Sequence, residues 1–183
     1  MKKIWSLLLI TIMTAGICVA AEFPRWVSQP INVYIPDVPY FADLMEQAFR
    51  EWEDASDGLV RFKYVKRPVE ADISVDFVDY VMNCNSNHAV GCTRTLTRGK
   101  NYYKALVEIA TKENKVELVN GQFKRSEGIR PEDNIYGVML HEIGHAIGLN
   151  HSESSDSIMY AIDLPTVQYL TDEDLNLLYN KYY

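Results

Sequence analysis

The chain has 183 residues and a formal net charge of −7, enough length for one compact domain with a sizeable core. The acidic balance, without basic clusters, argues against nucleic acid as a partner. No internal repeat or low-complexity linker divides it.

Met1-Lys2-Lys3 followed by the apolar stretch Ile4 to Val19 reads as a secretory signal, with small residues Ala20 and Ala21 offering a cleavage site. The stretch is short for a membrane span. Cys18 suggests a lipid anchor, but Ile17 before it is bulkier than such signals favour. The expected division is residues 1–20 as signal peptide and 21–183 as one domain, secreted or periplasmic and monomeric. Losing Lys2 and Lys3, with no acid in residues 1–20, would take the formal charge from −7 to −9.

Ile31 to Ile35 alternates and is closed by Pro36, the pattern of a first strand. Asp43 to Glu53 places Leu44, Ala48, Phe49 and Trp52 at helical spacing, and Ser56-Asp57-Gly58 ends the helix. Val60 to Val65 and Ala71 to Phe77 read as further strands. Asp72 and Asp76 raise the thought of calcium, but a solvated strand face is the simpler account, so calcium is without support. Cys84 and Cys92 bracket a polar segment, and a disulfide closing it suits an oxidising compartment. A Thr-rich run from Gly91 to Leu96 precedes a strong strand at Ala105 to Ala110. A helix is expected over about 134–149, with Ile135, Met139, Ile143 and Ile147 toward the core. Val138, His141, Glu142 and His145 then face a cleft. A closing helix begins at Thr171, which can cap it, with Asp174 three residues on.

Three of the four histidines fall in His141-Glu142-Ile143-Gly144-His145-Ala146-Ile147-Gly148-Leu149-Asn150-His151. Residues four apart share a helix face, so His141 and His145 can aim ring nitrogens at one point. Gly148 can leave the helical conformation without steric cost, so the chain can turn and return His151 as a third nitrogen. Three protein ligands leave a fourth tetrahedral position open, which marks a catalytic zinc site. Glu142 is displaced from the ligand positions and free to act as a base. The remaining histidine, His88, reads as solvated rather than liganding.

HExxHxxGxxH followed by Ser157-Ile158-Met159-Tyr160 resembles the metzincin metallopeptidases. Met159, eight residues beyond His151, and Ser152 directly after it are similar to the matrixin branch. The resemblance implies an α+β, zincin-like fold: a twisted, mostly parallel sheet with an antiparallel edge strand, an active-site helix and a C-terminal helix. It implies that the segment near 89–96 is the edge strand along the cleft, where an extended peptide or protein substrate can pair with free backbone groups. By the same resemblance Met159 forms an apolar floor beneath the ligands, though core packing alone would also explain it. Asp174 would hydrogen-bond the methionine turn. The position two beyond the methionine is Ala161, so no tyrosine ligand is expected. The pocket wall beside the scissile bond would come from about 160–165.

Departures from the family matter as well. With only Glu22 to Ser28 between the signal and the first strand, and no PRCG-like motif, no propeptide is expected. With so few histidines, the second, structural zinc of animal matrixins is not expected either. The expected activity is peptide-bond hydrolysis by a zinc-activated water with Glu142 as general base. The alternative is a catalytically silent, zinc-containing protein-binding module.

Overall fold

The structure, a computed structural model, describes residues 24–82, 84, 89–161 and 169–183. Expectations for the signal segment, for His88 and for the pocket wall at 162–165 lie outside the described residues.

A short strand, β1 (Ile31–Tyr34), buries Ile31 and Val33 and leads into helix α1 (Phe41–Ala55). The helix buries Phe41, Leu44, Met45, Ala48, Phe49 and Trp52, the i, i+3, i+4 spacing that gives one apolar stripe. It crosses to β2 (Phe62–Tyr64), which pairs parallel with β1, as expected when a helix supplies the crossover. A 3-10 turn at Pro68–Glu70 leads to β3 (Ile73–Val78), which pairs parallel with the other side of β1. Asp72, just before β3, links the two strands: its Oδ2 accepts both the backbone N–H and the side-chain amide of Asn32.

Strands β4 (Gly91–Arg98) and β5 (Asn101–Ala110) form an antiparallel pair turned at Gly99. The five-stranded sheet runs β2-β1-β3-β5-β4, parallel except for β4 at the edge. This is the sheet implied by the resemblance. Alternate residues Ile73 and Val75, then Ala105, Val107 and Ile109, join the buried faces of both long helices in one core.

Helix α2 (Glu132–Ala146) follows, and α3 (Asp172–Tyr182) closes the chain. Trp52 of α1 donates its indole N–H to the Leu140 carbonyl. The end of α2 is covered from outside: Trp26 donates to the Ala146 carbonyl and the Tyr182 hydroxyl to that of Ile147. Those carbonyls have no partner within the helix, and each buried one left unmet would cost of order 1–3 kcal/mol.

One element lies outside the sequence expectations. Strands β6 (Lys112–Val119) and β7 (Gln122–Ile129) make a separate two-stranded sheet between β5 and α2. Asn120 and Gly121 both have positive φ, the requirement of a two-residue hairpin turn. The Asn-Gly pair was a readable signal for it. At its base, Arg130 N–H donates to the Thr111 carbonyl and Lys112 N–H to that of Asp79.

Candidate active site

Helix α2 carries His141 and His145 one turn apart, with Glu142 beside the first, then stops where Gly148 takes φ of 105°. That conformation is strained for residues with a Cβ. The turn brings His151 back so that one ligand nitrogen from each imidazole lies within 4.8 Å of the others. The His145 and His151 Nε2 atoms are 3.2 Å apart. A tetrahedral zinc with Zn–N of about 2.0–2.1 Å separates its ligands by about 3.3 Å, so this edge already has the right length.

Backbone carbonyls decide which nitrogen each ring offers. His141 Nδ1 lies 2.6 Å from the Ile158 oxygen and His145 Nδ1 2.9 Å from the Leu149 oxygen. A carbonyl can only accept, so each Nδ1 carries the proton and each Nε2 keeps its lone pair for a metal. Burial lowers the pKa of both rings, that of His145 to about 4, with the neighbouring histidines adding to the effect. Neutral imidazoles are the form a metal requires. The donor set fits a zinc ion.

Beneath the triad sits the turn Ser157-Ile158-Met159. Met159 is fully buried, and a Cβ placed on Gly144 would come within 2.3 Å of its sulfur. Helix and turn therefore touch at a distance that only glycine allows. Asp174, also fully buried, holds the turn from the far side. Its carboxylate accepts from the Ser157 hydroxyl, from the backbone N–H of Ile158 at 3.2 Å and from that of Met159 at 3.4 Å. It also accepts the Thr171 N–H and hydroxyl at 2.9 and 2.7 Å. One carboxylate thus ties the start of α3 to the turn, and the turn's Ile158 carbonyl orients His141.

Glu142 points toward the edge strand. The Thr93 hydroxyl lies 2.6 Å from its Oε2 and 2.9 Å from its backbone oxygen. Gly91 makes room for it, because a Cβ there would lie 2.5 Å from Oε1. Burial pushes the Glu142 carboxyl up to about 7, against the lowering effect of the Thr93 hydrogen bond. Thr93 and Gly91 were not anticipated as site residues. They are 49 and 51 residues from Glu142 in sequence, and nothing local marks them. The disulfide is formed: Cys84 and Cys92 are joined, and Cys92 sits between the two residues that seat Glu142.

These groups open into one cleft of about 500 Å³, lined by Val90 to Thr93 of the edge strand on one side and by the triad and Glu142 on the other. Tyr102 and Ala161 complete part of its wall. The cleft runs beside β4, whose outer edge has no neighbouring strand among the described residues.

With this geometry in place, the comparisons with known proteins give the class. The matrixin (peptidase M10) family model matches residues 37–182, and the chain belongs to that family. Matrix metalloproteinase-A of Caenorhabditis elegans is 26% identical over 133 residues, covering 71% of this chain and 23% of that protein. Probable matrix metalloproteinase 095L of Invertebrate iridescent virus 3 is 46% identical over 50 residues, 27% of this chain and 14% of the viral protein. The chain therefore matches less than a quarter of either relative's length. Zinc is the family's metal, and the histidine triad could hold one ion.

Proposed function

We propose that this chain is an exported zinc-dependent metalloendopeptidase, with residues 21–183 as its catalytic domain. One observation carries the reading: three imidazoles converge on one point while Glu142 faces the same cleft beside a free strand edge. His141, His145 and His151 would hold the zinc through Nε2. When bound, zinc supplies a Lewis acid that polarises the scissile carbonyl and acidifies water.

The remaining steps belong to the protein. An extended peptide lies along β4, pairing with its backbone groups. Glu142 takes a proton from the attacking water as the new C–O bond forms at the carbonyl carbon. It returns that proton to the departing amide nitrogen as the C–N bond breaks. Thr93 and Gly91 hold the Glu142 carboxylate at the strand, which limits the orientations it must search. Asp174 and Met159 keep the platform beneath the histidines rigid. The Cys84–Cys92 disulfide and the family both fit an extracellular setting, and among the described residues no helix is long and apolar enough to cross a membrane.

Glu142→Gln tests the mechanism. Zinc content should stay at one ion per chain while cleavage of a mixed peptide library disappears. Undiminished cleavage would overturn the role of Glu142. A zinc-loaded wild-type protein that cuts nothing would leave the silent binding module.

A further inference from the structure

The hairpin β6–β7 is an unused surface. None of residues 112–129 lines the cleft, so nothing in the proposed chemistry accounts for it. Its register sorts the side chains onto two faces. Val116, Leu118, Phe123 and Arg125 share one face, since Val116 pairs with Arg125 and Leu118 with Phe123. Lys115, Glu117, Lys124 and Ser126 share the other.

Toward the tip the first face is apolar except for Arg125, and bare: Val116 is 59%, Leu118 65% and Phe123 82% exposed. Val119, beside the turn on the opposite face, is also exposed. Contiguous apolar side chains at the end of a projecting element normally mark a contact surface. Two stranded ribbons gain little stability alone, so these residues are poorly explained as a folding requirement.

Charge identifies the partner. Residues 115–125 carry Lys115, Lys124 and Arg125 against Glu117, in a chain whose net charge is −7. The base of the hairpin adds Lys112 against Glu127 and Glu113, the last paired with Lys115 at 3.3 Å. The tip is therefore cationic and apolar while the rest of the molecule is acidic. A second copy of the chain fits this poorly. Two acidic bodies repel, and stacking the apolar faces about a two-fold axis would bring Arg125 toward its own copy. Strand addition to β6 is discouraged by its alternating Lys and Glu residues. An anionic lipid surface fits both properties at once: apolar side chains enter the interface while the cations meet headgroups. An acidic body would hold off from such a surface, so only a tip-first approach is favourable.

We infer that the β6–β7 hairpin docks the protein on anionic membrane surfaces, with Leu118, Val119 and Phe123 entering the interface and Lys124 and Arg125 facing lipid headgroups. The function is independent of the peptidase reading and would stand if that reading failed.

The probe is Phe123→Trp in the otherwise unaltered chain, read against the background of Trp5, Trp26 and Trp52. All variants keep the same N-terminus, so its apolar stretch contributes equally. Vesicles of phosphatidylcholine containing phosphatidylglycerol should shift the added emission to the blue, and phosphatidylcholine alone should not. Replacing Lys124 and Arg125 by Gln should weaken vesicle affinity about five-fold per charge, and added salt should weaken it likewise. Leu118→Ser in the Phe123→Trp background should diminish the shift. No shift on anionic vesicles overturns the inference, as does an equal shift on uncharged ones. A blue-shifted emission without vesicles, together with a dimer in light scattering, overturns it in favour of a second copy.

Discussion

Two neighbouring regions of this molecule follow opposite rules. From Gly144 to Asp174, the zinc-type platform is assembled from distant pieces: helix, returning loop, methionine turn and C-terminal helix. Asp174 and Met159 are fully buried, and the polar groups around them are matched by partners up to 17 residues away. Beyond the ties at its base to Asp79 and Arg130, the β6–β7 hairpin pairs strand with strand and leaves its apolar side chains in water. A region that must hold several ligands in one geometry needs buried cross-links from many elements. One that meets an external surface needs the reverse. The contrast teaches that exposure here is placed, not left over.

Substitutions can break or sharpen that contrast, and the largest effect belongs at Glu142. Loss of a general base costs about 10²–10⁴-fold in rate, so Glu142→Gln should cut kcat by that much with zinc retained, measured on a peptide reporter with metal analysis. Chelation should remove activity altogether, and restored zinc should recover it.

Asp174→Ala comes next. It leaves buried donors from Ser157 and Ile158, and the half-buried donors of Thr171, without their acceptor, and should cost about 3–4 kcal/mol in chemical denaturation. Asp174→Asn should recover part of that, because its amide oxygen can accept some of the same bonds.

Reducing the Cys84–Cys92 disulfide, or replacing both by Ala, should cost about 2–3 kcal/mol for a loop of this length. Because Cys92 lies between Gly91 and Thr93, the same change should also lower kcat. A melt with and without reductant, followed by kinetics, reads both effects.

Thr93→Val removes the hydroxyl that contacts both the carboxylate and the backbone oxygen of Glu142 while keeping the shape of the side chain. About ten-fold in kcat with little change in KM is expected, equivalent to about 1.4 kcal/mol, and Thr93→Ser should restore most of it. A change confined to KM would instead place Thr93 in substrate binding.

The smallest effect is reserved for the hairpin. Leu118→Ser with Phe123→Ser should alter stability by no more than about 0.5 kcal/mol and leave hydrolysis of a short soluble peptide unchanged. If those changes unfolded the protein, the hairpin would belong to the folding core and the contrast would collapse.

Much of this was legible beforehand, for identifiable reasons. The helix at 41–55 was visible because Leu44, Ala48, Phe49 and Trp52 obey a 3.6-residue period. The start of α3 was visible because Thr171 and Asp174 form a local capping signal, and the two residues do meet. Helix α2 starts at Glu132 and ends at Ala146, short of the expected 149, because the backbone departs before Gly148 to return His151. The hairpin escaped notice because its strands alternate charge with exposed apolar residues and so lack a buried face to announce them.

The sequence by itself determined the three candidate ligands, the turn at Gly148, the candidate base and the elements that carry them, since each depends on residues a few positions apart. Tertiary structure alone decided where Glu142 rests and what it touches. Thr93 and Gly91 reach it across the sheet edge, from a strand whose pairing with β5 sets their height above the helix. It also decided that the apolar side of the hairpin faces outward. Short-range spacing follows from backbone periodicity, whereas contacts between remote segments exist only once the sheet and both helices have packed.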